Sequence, residues 1–216
     1  MSDIQSSPEA AAADRFASET SNHTMTVLHE DGLYRHLVFA DPKGGFYRFD
    51  LITWPHNLMV RGDGFSFAFS VYPTEDMFDL FKGSSHNSIN PGYWQEKVTA
   101  GRGDVKSWSE DLFRAWLAGE AAAHEARFPG AVEAVAAQIL NSDDHNLEYQ
   151  GTAKYAVASF SFGDFRLRIP AEWELSFQDF SWEFLFACHA VIWGIRQYDA
   201  SRKAASAPSQ REAGAL

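Results

Sequence analysis

Between Leu33 and Val71 apolar and polar residues alternate in short runs, and every run stops at residues that favour turns. The clearest run sets Phe65, Phe67 and Phe69 against Ser66, Ala68 and Ser70, the period of two expected of a strand with one face on a core. Tyr34–Phe39, Phe46–Thr53 and Leu58–Arg61 read as strands as well. In Phe46–Thr53 neither face is purely polar, because Phe46, Arg48, Asp50 and Ile52 alternate with Tyr47, Phe49, Leu51 and Thr53. The separators Asp41-Pro42-Lys43-Gly44-Gly45, Trp54-Pro55-His56-Asn57 and Gly62-Asp63-Gly64 are short enough for hairpins. The pattern predicts an antiparallel meander whose Phe-rich face needs a helix laid over it.

The period then changes to that of helices. Pro73-Thr74-Glu75-Asp76 opens a short helix carrying Met77, Phe78, Leu80 and Phe81, with Thr74 as N-cap and acids in the first turn. Lys82–Gly92 reads as a polar loop. Ser107 or Ser109 caps a helix reaching about Ala126 with a Leu112, Phe113, Trp116 and Leu117 stripe; Pro129-Gly130 ends it and Ala131–Leu140 forms the next. Thr152–Phe160 fits helix or strand, and Phe165–Ile169 alternates as a strand up to Pro170. From Trp182 to Ile195 eleven of fourteen residues are apolar, around nearly the whole circumference of a helix that continues to Tyr198. Glu183, His189 and Gly194 interrupt it, so it is too short and too broken to span a bilayer core of about 30 Å. A helix without a wet face has to be wrapped by the rest of the chain.

These elements predict an α+β fold: a small antiparallel sheet from the N-terminal meander, covered by helices, with a buried C-terminal helix. Residues 23–203 read as a single domain, and the small, unpatterned segments Met1–Asn22 and Ala204–Leu216 as disordered tails. With 18 Phe, 7 Trp and 7 Tyr the chain carries far too much aromatic area to remain unfolded. Its net charge of −11 argues against a phosphate-binding surface of the nucleic-acid type, which needs clustered Lys and Arg. The acids are dispersed, in no run longer than a pair such as Asp143-Asp144, which speaks against mimicry of DNA. A lone cysteine, Cys188, excludes an intramolecular disulfide and fits a reducing cytosol, and no secretory signal or membrane span is expected.

Candidate chemistry is sparse. Histidines 23, 29, 36, 56, 86, 124, 145 and 189 show none of the spacings that place two metal ligands on one helix face, and Asp143, Asp144 and His145 read as a solvated turn. No metal and no cofactor is expected. Cys188 and His189 diverge by about 100° on a helix, which disfavours a thiolate-imidazole pair. Cys188 then reads as a buried apolar residue, and His189 as a core histidine partnered by Asp50 or Glu183. Nucleophile elbows and phosphate-binding loops are missing, and Arg61-Gly62-Asp63-Gly64 and Arg102-Gly103-Asp104 are turn chemistry rather than adhesion motifs. Asp50, Asp63, Glu75 and Asp76 are the acids from which an acid/base pair would come. Asp50 sits inside an aromatic strand, where a charge must find a partner, and Arg48 or His36 supplies one in a structural ion pair. Trp54 and the Tyr93-Trp94 pair are aromatics at turns, available to plug the sheet edges or to form a recognition surface.

Three segments together resemble a family of bacteriophage and prophage accessory proteins: Phe46-Tyr47-Arg48-Phe49-Asp50-Leu51-Ile52-Thr53-Trp54-Pro55, Ile89-Asn90-Pro91-Gly92-Tyr93-Trp94-Gln95-Glu96-Lys97, and Cys188-His189-Ala190-Val191-Ile192-Trp193-Gly194-Ile195-Arg196-Gln197-Tyr198-Asp199. The likeness spans about Tyr34 to Asp199. It implies a phage-encoded protein made in the cytoplasm of an infected bacterium, and it brings no catalytic residue with it. The expectation is a non-enzymatic binder that inhibits or redirects a host protein, such as a component of antiviral defence, in the manner of an anti-CRISPR or other anti-defence protein. A second reading is a protein that sequesters a small ligand or nucleotide signal, with Trp54, Tyr93 and Trp94 stacking and Arg48 or Arg61 holding phosphate. A third is an enzyme using some of the His and Asp residues. The partners expected are therefore a host protein or a small molecule, and neither nucleic acid nor membrane.

Overall fold

The computed structural model describes residues 7–82, 88–169 and 177–206. The fold is α+β, with a six-stranded antiparallel sheet in the N-terminal half and a long C-terminal helix packed on it. Where the sequence reads as one domain, the chain divides into two compact units, residues 1–105 with 180–216, and residues 106–179. The second is inserted between the last strand of the sheet and the C-terminal helix, an arrangement that leaves no mark in local periodicity.

The first unit begins with helix α1 (Pro8–Glu19), within the segment expected to be a tail. The Ser7 hydroxyl caps it by accepting from the Ala10 N–H at 3.2 Å. Phe16 anchors it, lying 5.0 Å from the Phe186 ring and 6.1 Å from Trp193. One aromatic residue on a helix of alanines and polar residues makes no stripe, so the contact that orders this segment is tertiary. The meander follows in chain order: β1 (Thr24–Asp31), β2 (Tyr34–Ala40), β3 (Phe49–Trp54), β4 (Asn57–Gly62), β5 (Phe65–Ser70) and β6 (Val98–Ala100). Strand β1 carries no alternation that predicts it, because it is an edge strand, exposed along nearly its whole length, with an irregularity between Val27 and His29. Strand β3 starts three residues later than the alternation predicts, since Tyr47 has φ 66 and Phe46 turns out to solvent.

Leu37 and Phe39, Phe49 and Leu51, Leu58 and Val60, and Phe67 and Phe69 share one face of the sheet and are fully buried. Two short helices, α2 (Met77–Lys82) and α3 (Pro91–Gln95), together with α7 (Trp182–Ser206), cover that face. The Asp76 carboxylate caps α2, accepting from the Phe78 N–H at 2.9 Å, in place of the Thr74 cap expected. The wrapped helix is the centre of this unit: Phe184 meets Phe67 edge-on at 5.3 Å, and Phe186 meets Phe65 at 5.7 Å. Gly194 brings its backbone down onto the sheet, because a Cβ there would lie 2.6 Å from Leu51 Cδ1 and 3.0 Å from Phe39 Cζ. The helix runs on to Ser206, past the boundary expected at residue 203.

The second unit contains β7 (Lys106–Trp108), α4 (Glu110–His124), α5 (Ala131–Val135, continued by a wider turn over Ala136–Leu140) and α6 (Gln150–Ser159). Strand β8 (Gln178–Phe180) pairs with β7. Ser109 is the cap of α4, accepting from the Leu112 N–H at 3.3 Å, and the ambiguous segment is helical as far as Ser159, with Phe160 extended beyond it. The core joins Phe113, Leu117, Val135, Ile139, Val157 and Phe165. Among the described residues Phe165–Ile169 forms no strand, and the one bridge there is Phe162 to Phe165. Its alternation is nonetheless real: Phe165 and Leu167 are buried while Arg166 and Arg168 are exposed. Burial of alternate side chains on helices satisfies the same pattern without a sheet partner. Among the described residues no helix is long and apolar enough to cross a membrane.

Candidate functional site

The two sides of the six-stranded sheet differ in kind. The helices of the first unit take the Phe-rich side; the other carries His36, Ile52, Met59 and Ala68 in one register row and Val38, Asp50, Arg61 and Ser66 in the next. Val38, Ile52, Met59 and Ala68 belong to neither hydrophobic core, and Ile52, Met59 and Ala68 are half-buried.

At the centre of this outer face stands Asp50, whose side chain is only 6% exposed. His36 on β2 places Nε2 2.9 Å from Asp50 Oδ2, where the ring nitrogen donates to the carboxylate. Arg48, two residues earlier and on the same face, brings Nη2 to 3.4 Å from Oδ1, and Arg61 on β4 brings Nε to 3.9 Å from Oδ2. Pleat and register explain the convergence: i and i−2 share a face, and directly opposed residues on neighbouring strands stand side by side. The structural ion pair expected for Asp50 is present, with both anticipated partners and Arg61 besides. Arg48 and Arg61 remain 53% and 58% exposed, so the cluster is a covered anion ringed by wet cations.

The sequence-nominated aromatics do not join it as a group. Trp54 lies on the same face at the end of β3, opposite Asn57 and partly exposed. Trp94 is 1% exposed, edge-on to Phe81 at 4.7 Å, and is part of the core. Its neighbour Tyr93 is 41% exposed and carries the Lys97 ammonium 4.5 Å above its ring. Asn90 orients the pair by accepting from the Tyr93 N–H at 3.0 Å.

The acids considered for acid/base work are held apart in separate roles. Asp63 accepts from the Tyr47 N–H at 3.0 Å, Asp76 binds Arg35, and Glu75 contributes its backbone carbonyl to the His56 N–H at 3.0 Å. Burial pushes the Cys188 thiol well above its ordinary pKa, which removes it as a nucleophile. His189 stacks near Phe16 at 5.8 Å, and its Nε2 is buried with no hydrogen-bond partner among the described residues, so neither Asp50 nor Glu183 serves it. Burial lowers its pKa, and a hydrogen bond with the Glu9 backbone acts in the opposite direction. Among the described residues no group of three or more His, Cys, Asp and Glu is arranged to hold a metal ion; His86 lies outside them.

One polar assembly was not read from the sequence. Arg35 on β2, 9% exposed, grips Asp76 with both arms at 2.9 and 2.8 Å, and its guanidinium lies 4.6 Å from the Phe78 ring and 5.5 Å from Tyr198. The Tyr198 hydroxyl donates to Glu30 at 2.5 Å, and Glu30 also meets Arg202 at 3.3 Å. Burial alone would raise the Asp76 pKa, but the hydrogen bonds from Arg35 and the Phe78 N–H outweigh it and hold the carboxyl below its ordinary value. The network ties β1 and β2 to α2 and α7. The paired groups are 41 residues apart for Arg35 and Asp76 and 168 apart for Glu30 and Tyr198, so no local spacing announces them.

Compared with known proteins, the chain matches no family model, no curated protein and no solved structure.

Proposed function

We propose that this protein is a non-enzymatic binding protein that engages a partner protein across the outer face of its sheet, and that the partner is a host protein met inside an infected bacterium. The observation that carries the binding reading is the outer face itself. A register row of half-buried apolar side chains, Ile52, Met59 and Ala68, runs beside an anion already satisfied by His36, Arg48 and Arg61, while the helices of this unit occupy the opposite face. Apolar side chains lying beside satisfied charges suit a protein–protein contact, which combines apolar patches with polar surroundings. The phage setting rests on the three resembling segments, which lie at β3, at α3 and in α7. Their residues Phe49, Leu51, Trp94, Val191 and Ile195 are core residues, so the likeness speaks to a shared fold rather than to a reaction.

The test compares the full chain with Met59→Glu in capture from a bacterial lysate. A single stoichiometric protein partner held by the native chain and lost by the variant, at unchanged thermal unfolding, is the expected result. Equal capture by both chains, or a native chain that carries only a small molecule in native mass spectrometry, overturns the reading.

A further inference from the structure

The unit formed by residues 106–179 holds a cavity of about 490 Å³. One wall comes from the end of α4 and the turn beyond it, where the Arg127 and Phe128 N–H groups donate to the His124 carbonyl at 3.0 and 2.9 Å and so carry the helical path one turn further. His124, Arg127 and Phe128 are thereby spaced at i, i+3 and i+4 and share a face. The opposite wall is the alternating segment after Gly163, with Asp164, Arg166 and Arg168 at the cavity. Phe165 locks the walls together, its ring stacking on His124 at 5.0 Å and on Phe128 at 5.3 Å.

The charge at this place runs against the rest of the chain. Residues 106–179 contain twelve Asp and Glu and only six cations, Lys106, Arg114, Arg127, Lys154, Arg166 and Arg168, yet three of the six line one cavity. Set against the single acid Asp164, three arginines leave a formal lining charge of +2. Among the described residues none of the three makes an ion pair, whereas Arg114 in the same unit binds Glu110 at 2.6 Å. Two of them are nevertheless held in position. Arg166 Nη1 donates to the Gly163 and Phe165 carbonyls at 2.6 and 2.8 Å, and the Arg127 guanidinium rests 5.2 Å from the centre of the Phe128 ring. His124 Nδ1 is bonded to the Glu120 carbonyl at 2.9 Å, which can only accept, so that nitrogen carries the proton and Nε2 stays available.

We propose that this cavity binds a phosphate-bearing small molecule, with the phosphate on Arg127, Arg166 and Arg168 and the remainder against the Phe128 side. Planar guanidinium groups match phosphate oxygens in paired hydrogen bonds, and three like charges set against one carboxylate, with no ion pair among the described residues, are relieved by an anion from outside. A volume of about 490 Å³ is that of a site for a small organic molecule and is generous for inorganic phosphate. The inference goes beyond partner binding by the sheet and does not rest on it.

The experiment is calorimetric titration of the full chain with ATP and, separately, with inorganic pyrophosphate, at low salt. ATP binding one to one, with pyrophosphate competing for it, is expected. Arg168→Gln then weakens ATP at least about tenfold, as loss of a charge-assisted phosphate contact does. Arg127→Gln with Arg168→Gln abolishes measurable binding while the thermal midpoint without ligand stays where it was. The proposal is overturned if neither probe binds at millimolar concentration, if pyrophosphate does not compete with ATP, or if the double variant binds ATP as tightly as the native chain.

Discussion

Arginines on the outer face of the sheet and arginines at the cavity of the 106–179 unit are used in opposite ways. Arg48 and Arg61 are drawn onto Asp50, an acid too covered to be left alone. Arg127, Arg166 and Arg168 converge where only Asp164 is present, and no carboxylate among the described residues pairs with them. Arg35 marks the far end of the same scale, nearly buried and held by both oxygens of Asp76. The difference teaches that an arginine's role follows from whether the fold puts a carboxylate within reach, and how dry that carboxylate is. A satisfied guanidinium holds strands and helices together. An unsatisfied one, kept in place by carbonyls and aromatic rings, waits for an anion from outside.

The largest effect belongs to the driest pair. Arg35→Met leaves Asp76 without its partner and is expected to destabilise the fold by about 2–4 kcal/mol, near the range for breaking a buried ion pair. Chemical denaturation over a pH series checks it twice. Asp76 sits below its ordinary pKa in the folded chain, so its contribution is complete above the ordinary carboxylate range near pH 4 and is lost as pH falls through the folded value. The variant should therefore show a shallower loss of stability on acidification than the native chain. An equally steep acid limb in both would remove Arg35 as the cause.

Asp50→Asn should have a middling effect, because Arg48 and Arg61 are more than half exposed and recover water when the carboxylate is gone. A loss of about 1–2 kcal/mol is expected, measured as a lower denaturation midpoint at unchanged m-value. A loss as large as that of Arg35→Met would mean that the cluster is drier than its exposed arginines imply, and the comparison would fail.

The smallest effect is expected at the cavity. Arg127→Gln with Arg168→Gln removes no ion pair and should leave stability within about 0.5 kcal/mol of the native chain, as exposed substitutions do. A clear destabilisation in the absence of any ligand would show these arginines to be structural, and the contrast with the sheet would vanish.

Much of the first unit was legible in the chain. Alternation of phenylalanine with serine and alanine placed β5, and the lack of a polar side placed α7 at the centre. Asp50 was legible for a different reason: a charge inside an aromatic strand needs a partner, and only i−2 and the adjoining strands lie close enough to provide one. Strand β1 and helix α1 were not, since an exposed edge strand has no core period and Phe16 is a single anchor. Tyr93 and Trp94 are adjacent with the same surroundings in sequence, yet one is exposed and the other sealed against Phe81. Direction around a short helix decided between them.

What the sequence determined by itself is the α+β class, the buried helix, and the need for a counter-charge at Asp50, because strand and helix periods and the penalty on a dry charge all act over a few residues. Tertiary structure alone decided the second unit, the Arg35 network and the arginine cavity. Each depends on groups far apart in the chain, as Arg127 and Arg168 are, and a net charge of −11 averages away the local sign that they create. Electrostatic sites are set by distance in space, and that distance is what folding supplies.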